Sequence, residues 1–510
     1  MLARLATTAL VGLVAHPVGV EVDIGRGLPA VTVVGLGDTA VLQARDRIRA
    51  AFGNAGFHWP DRRVTVSLPP SDLPKHGPGF DLPIAIGLLA AGGSVPVAAL
   101  DGLWAVGELG LGGDLRGVRG VLGSALAARH AGARLLLVPR DNLGEAALVP
   151  GVRVAGARSL GQVGEWLRGG GALDTPGPPG PVAPDPAAAE DLADVRGQPL
   201  ARRALEVAAA GGHNLLLVGP PGAGKTMLAR RLPGLLPELE RDEALEVTQV
   251  LSATGLLRPD APLATARPFR APHHATSVAG LIGGGSPIPR PGEVSLAHLG
   301  VLFMDELAEF PRAACEALRQ PLEHGEVTVV RSGASVRFPA RFALVAATNP
   351  CPCGWLGDGT RACRCGPDDL RRYARRLSGP LLDRIDLYVQ VGRVAAEELA
   401  GPAAGEPSVS VRARVLAARA RQRDRHGVEN ARLPVAALGA AGRPTAAARR
   451  TLAAAVDRLG LTARGYHRAL RVARTLADLA GEDRVGDHHV REALGLRHLP
   501  LAPSGEPGAA

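Results

Sequence analysis

Residues 219 to 226 read GPPGAGKT, a Walker A pattern in which each position has a chemical task. Gly219, Pro220, Pro221, Gly222, Ala223 and Gly224 form a turn whose backbone N–H groups can cradle phosphates at a helix N-terminus. Lys225 then reaches the β- and γ-phosphates, and Thr226 supplies a hydroxyl to Mg²⁺. Lys225 and Lys75 are the only lysines in the 510 residues, and arginine carries positive charge everywhere else. A planar guanidinium does not fit the phosphate cradle as a compact ammonium does. The apolar run Asn214 to Gly219 (NLLLVG) reads as the buried strand that precedes such a loop. This motif alone predicts a bound nucleotide, ATP or GTP.

Further candidates lie downstream. Val301 to Glu306 (VLFMDE) is an apolar strand ending in two acids. Read as a Walker B, Asp305 holds Mg²⁺ and Glu306 polarises the attacking water. Phe342 to Thr348 is another buried strand, and the amide of Asn349 at its end is placed to orient that water. Cys351, Cys353, Cys363 and Cys365 follow as CPC-x9-CRC in a glycine-containing loop. Three readings stay open there: a structural Zn²⁺ held by four thiolates, free or redox-active thiols, and disulfides. CxC is narrower than the usual CxxC pair. His273 and His274 are read as non-metal residues, because adjacent side chains are expected to diverge and no acid or cysteine is clustered beside them in sequence. Cys315 reads as a small buried residue.

The elements that must position these groups follow from length and composition. A chain this long exceeds one hydrophobic core, so three domains are expected. Residues 169–190 are rich in Pro, Gly and Ala and read as a linker. The segment before it, 1–168, alternates strands (Ala30 to Val34, Arg63 to Leu68) with helices (Asp38 to Ala51, Gly120 to Ala131), an α/β pattern. After it, a helix over Leu192 to Gly211 and a nucleotide-binding core are expected across 191–393. An all-helical lid over 394–502 has helices predicted at Ser410 to Arg425, Thr445 to Leu459, Tyr466 to Leu479 and Gly486 to Leu496. A disordered tail over 503–510 closes the chain. Val327 to Arg331 and Ser335 to Pro339 read as a hairpin turning at Ser332 to Ala334. Its Arg331 and Arg337 either contact phosphates or solubilise the hairpin.

The net charge of +9 and pI near 10.1 suggest a polyanionic partner. No apolar stretch is long enough for a membrane span. The N-terminal apolar run is broken by Gly12, His16 and Pro17, so it is read as part of a folded domain. Cysteine usage fits the cytoplasm better than a secreted scaffold.

Further motifs carry a resemblance to known families. Asn349 occupies the place of sensor 1 in AAA+ ATPases. SGPLLDRID (Ser378 to Asp386) resembles the LLDRI element of the Mg-chelatase and MCM branch of that superfamily, which implies that Arg384 is an arginine finger serving a neighbouring subunit in a ring. LTARGYHRALRVA (Leu461 to Ala473) resembles the sensor 2 helix, with Arg471 as its arginine and Arg468 as the alternative; a merely solvated Arg471 also stays open. The insertions before Walker B and before sensor 1 mark the same branch. Most of residues 18 to 142 resembles the proteolytic domain of Lon, a ribosomal S5 domain 2-like fold, but Gly79 stands at the nucleophile's place in PKHGPGFD and Ser124 at the lysine's. Peptide hydrolysis is therefore excluded, and Lys75 either meets an acidic partner or the local backbone.

Taken together the chain resembles the YifB/ComM family of Mg-chelatase-like ATPases along nearly its whole length. The resemblance implies an α/β protein with an inactive Lon-like head, an AAA+ P-loop core and a helical lid. It further implies a homo-hexameric ring using ATP and Mg²⁺, translocation on single-stranded or branched DNA, and branch migration in recombination or natural transformation with recombination proteins as partners. A metal-chelatase motor subunit and an ATP-driven protein-remodelling or regulatory factor are the competing expectations.

Overall fold

The computed structural model describes residues 1–497 apart from residues 36, 178–189, 259–262, 287, 332–333, 378, 396 and 399–404. The expected tail, most of the expected linker and the hairpin tip at Ser332 thus lie outside the described residues.

Alternating burial along the first 25 residues drives a long antiparallel hairpin, Leu2–Val11 against Val14–Gly25, in which Val18, Val20 and Val22 all face the core. This hairpin sits mid-sheet in a seven-stranded head. Its order is Ala30–Val34, Arg63–Ser67, Val14–Gly25, Leu2–Val11, Leu103–Ala105, Leu135–Pro139, Val154–Ala157. The helix Asp81–Ala91 is apolar on every side because it is buried along its whole length. Its one charge, Asp81, is paired with Arg47 at 2.7 Å.

The expected helices appear as Thr39–Asn54, with the Asp38 carboxylate accepting the N–H of Val41 at 2.9 Å, and Val121–His130. Gly79 lies in the short turn Pro78–Phe80. Ser124 is buried, its hydroxyl 2.7 Å from that of Thr8. Of the two readings of Lys75, the structure takes the local one: its side chain is fully buried and its ammonium donates to the carbonyl of Pro70.

Two boundaries are corrected. The head extends past 168, because Leu173 packs on its core and Asp174 exchanges two backbone hydrogen bonds of 2.8 Å with Gly156. The apolar Leu173 outweighs the glycines around it. The helix expected from Leu192 is a short turn, Leu192–Asp194, followed by a helix that starts only at Pro199. Proline at the first helical position excludes its predecessor from the helix, and Gln198 is left-handed at φ 55°.

The core holds five parallel strands in the order Phe269–Arg270, Val301–Met304, Ala343–Thr348, Leu215–Val218, Leu387–Gln390. Both faces are covered, which is why the strands read as unbroken apolar runs. Phosphate-binding loop, Walker B acids and Asn349 all leave the sheet at its carboxyl edge, where open parallel sheets bind ligands.

The lid comprises Ser408–His426, Val435–Gly442, Ala446–Leu459, Ala463–Ala480 and Asp487–Gly495. Val435–Gly442 was not expected, since VAALGAAG has no polar face to set a period. Lid and core share one apolar cluster, in which Val411, Val415, Leu470 and Leu476 join Leu205 and Leu215.

Head and core also touch. Leu13, at the tip of the first hairpin, is buried with Val336 and Phe338 of the hairpin Glu326–Arg331/Ala334–Pro339, and Gln249 donates to its carbonyl at 2.9 Å. Gly12 is left-handed at φ 65°, and a Cβ there would lie 2.2 Å from a Val336 methyl. Among the described residues no helix is long and apolar enough to cross a membrane.

Candidate active site

The strand Leu215–Val218 ends at Gly219 and the helix Lys225–Leu235 begins six residues later. Gly222 and Gly224 take φ of 77° and 87°, which turns the loop back over the helix N-terminus. Lys225 is buried to 9% exposure, and its ammonium donates to the carbonyls of Gly219 (2.7 Å) and Pro220 (3.0 Å) and to Oδ1 of Asn349 (3.1 Å). Burial lowers its pKa, against the opposing pull of Asp305 and Glu306. Phosphate oxygens can replace these carbonyl acceptors without moving the lysine far.

Thr226 donates its hydroxyl to Oδ2 of Asp305 at 2.8 Å. A hydroxyl and a carboxylate side by side are the hard oxygen donors that Mg²⁺ takes, together with water and nucleotide phosphates. The donor set therefore fits the ion. Glu306 is left-handed at φ 52°, its backbone N–H held by Oδ1 of Asp305 at 3.0 Å. Its carboxylate is half exposed and lies 3.6 Å from Nδ1 of His274. This corrects the grounds for reading the two histidines as non-metal residues, not the reading itself: the rings of His273 and His274 lie side by side at 4.0 Å, and an acid does stand beside them. The signal was missed because the contact spans more than thirty residues.

Asn349 is fixed from behind. Its carbonyl accepts from the hydroxyl of the buried Tyr373 at 3.1 Å, and that same hydroxyl lies 3.0 Å from the Thr348 hydroxyl. Lys225, Thr226, Asp305, Glu306 and Asn349 are thus one constellation.

The cysteine loop abuts this constellation. Gly354, left-handed at φ 83°, leaves no room for a Cβ, which would lie 2.7 Å from Pro221. All four thiol sulfurs lie within 4.8 Å of one another, and the cysteines are free of disulfides. Cys351 is 3.4 Å from Cys353 and 3.7 Å from Cys363, and Cys353 is 3.6 Å from Cys363. Four sulfurs at Zn–S bonds of about 2.3 Å stand about 3.8 Å apart in a tetrahedron, so the cluster fits that ion. Burial acts to raise the Cys353 pKa, but the N–H groups of Arg364 and Trp355 and the neighbouring thiols hold it down to about 6.

The two distal arginines stand elsewhere. Arg384 is 5% exposed, donates to the Pro380 carbonyl at 2.5 Å and forms an ion pair with Glu323. Arg471 donates twice to the carbonyl of Leu433, at 2.7 and 3.1 Å. Neither contacts the Lys225 constellation of its own chain. Arg468 pairs with Asp386 at 2.7 Å.

Asp386 is a residue that the sequence reading passed over. It is buried between core and lid, where it accepts the N–H of Asn214 at 3.1 Å beside His213 and Arg468. Burial opposes its charge, but His213, Arg468 and Arg497 hold its carboxyl far below the usual range. Asn214 in turn donates to the carbonyl of Arg384 at 2.9 Å. Arg337 is exposed on the hairpin face opposite the buried Val327, Val329, Val336 and Phe338, and Arg331 is exposed at the end of its strand, beyond Val327 and Val329 on their own face.

Three family models of the magnesium chelatase subunit ChlI match the chain: the main domain over residues 191–399, a second over 20–142 and the C-terminal domain over 405–497. The uncharacterized protein YifB of Escherichia coli is 44% identical over 97% of the chain and 96% of its own length. The competence protein ComM of Haemophilus influenzae is 44% identical over 98% of each. A magnesium-chelatase 38 kDa subunit of Rhodobacter capsulatus is 31% identical, over 27% of the chain and 43% of its own length.

Proposed function

The chain belongs to the YifB/ComM family of Mg-chelatase-like AAA+ ATPases, and from that premise we propose that it is a ring-forming motor coupling ATP hydrolysis to movement along DNA. Branch migration during recombination or natural transformation is the proposed task, in keeping with the word competence in one relative's name. The observation that carries the reading is that a nucleotide constellation shares its core with a hairpin that carries the exposed Arg331 at its end and the exposed Arg337 on its outer face.

In this mechanism Lys225 and the loop amides bind the triphosphate, and Thr226 and Asp305 would hold Mg²⁺, which would supply charge neutralisation at the phosphates. Glu306 takes up the proton side of the attacking water, and Asn349 orients it. Arg384 leaves Glu323 to meet the γ-phosphate in an adjacent subunit, and Arg471 answers from the lid. The four cysteines would hold a structural Zn²⁺, and their loop packs against Pro221 through Gly354.

A four-way-junction branch-migration assay with ATP tests the function, with Lys225→Ala as the inactive control. Strand exchange that proceeds only with ATP and Lys225 supports it. If single-stranded and branched DNA neither bind nor stimulate hydrolysis at low salt, the reading is wrong and protein remodelling takes its place.

A further inference from the structure

Residues 361–376 carry six arginines against two acids. The stretch is anchored at several points. The cysteine cluster fixes its beginning, the N–H of Gly366 donates to Asp369 at 3.1 Å, and the helix Pro367–Arg376 is anchored by the buried Tyr373 and Leu377. Three of the arginines are satisfied: Arg361 lies 4.6 Å over the ring of Trp355, Arg371 pairs with Asp368 at 2.6 Å and Arg376 with Glu309 at 3.1 Å. The side chains of Arg364, Arg372 and Arg375 are exposed and have no hydrogen bond or ion pair among the described residues. Arg372 and Arg375 stand one helical turn apart, so like charges are held roughly 5–6 Å from each other at their Cβ atoms, an arrangement that disfavours the free helix.

We propose that Arg364, Arg372 and Arg375, set on the cysteine loop and its helix, form a binding surface for the phosphate backbone of a DNA strand. The inference rests on the DNA-motor reading and adds a second contact to the hairpin arginines. The basic residues run along a loop and nearly three helical turns, a shape that suits an extended chain of phosphates better than one compact triphosphate. The acids of this stretch, Asp368 and Asp369, sit in the helix's first turn, where its dipole favours them; Asp368 takes Arg371, and neither acid pairs with Arg364, Arg372 or Arg375.

The test is binding of oligothymidylate to the full chain, followed by fluorescence anisotropy across a salt series. Arg372→Ala/Arg375→Ala is expected to lower affinity on the order of tenfold near 0.1 M salt and to reduce the slope of log K against log salt by about 1.4, about 0.7 for each lost phosphate contact. Arg372→Lys/Arg375→Lys is expected to restore the slope, because counterion release needs charge rather than a guanidinium; this also answers any doubt about folding of the alanine variant. Unchanged affinity and slope in the alanine variant overturn the proposal. So does loss of DNA-free hydrolysis with DNA affinity retained, which assigns the arginines to a neighbour's nucleotide instead. Should the unaltered protein bind no DNA, the motor reading itself falls, whereas normal binding with an inert double variant removes only this surface.

Discussion

At the scale of single residues, the site depends on groups whose chemistry has no substitute. Lys225 reaches two carbonyls and Asn349 from a position of near-complete burial, where the larger guanidinium of arginine would displace the loop. Asp305 and Thr226 meet across 79 positions of sequence because the strands that lead to them flank Ala343–Thr348 and end at the same edge of one sheet. The cysteine cluster is equally local in its chemistry. Cys353→Ser is expected to reduce zinc content to near zero in protein purified without chelator, read by atomic emission, and to lower the melting temperature. Equal zinc in variant and unaltered protein, or none in either, rejects the four-thiolate site. ATP affinity should fall with it, since Gly354 packs on Pro221.

At the scale of elements, two contacts tie moving parts to the nucleotide core. Leu13 wedges the first hairpin of the head under Val336 and Phe338. Gly12→Val places a branched side chain where φ is 65° and a methyl already fills the space; it is expected to cost about 1–3 kcal/mol. If the head positions the basic hairpin, DNA stimulation of hydrolysis falls more than DNA-free hydrolysis, and an equal fall in both rejects that role. Asp386 ties the lid to the strand after Arg384. Asp386→Ala leaves His213, Arg468 and Arg497 facing one another without their anion, and the expected loss is about 3–5 kcal/mol in urea unfolding. A loss under 1 kcal/mol means the junction is solvated.

At the scale of the whole molecule, Arg384 is the residue on which the proposed ring can be tested. Its guanidinium rests on Glu323 and never meets Lys225 of its own chain. Arg384→Ala is therefore expected to abolish hydrolysis while nucleotide binding, measured with a fluorescent ATP analogue, changes less than threefold. Mixing Arg384→Ala subunits with Lys225→Ala subunits should recover part of the activity, since some interfaces then join an intact lysine to an intact arginine. No recovery at any ratio means Arg384 acts within its own chain.

The chemistry of the nucleotide loop, the Walker B acids, the parallel core and most lid helices were legible in the linear chain, because each is written in neighbouring residues: loop glycines, unbroken apolar runs, helical spacing. The head's edge at Asp174, the late start of the helix at Pro199, the pairing of His274 with Glu306 and the Asp386 junction were not. They depend on which distant groups meet, and no local pattern encodes a contact across dozens of positions. Sequence determined what each residue can do. Only the tertiary structure decided that Arg384 and Arg471 lie on partners of their own, that the cysteines converge, and that the head grips the basic hairpin, because burial and distance exist only once the chain has closed on itself.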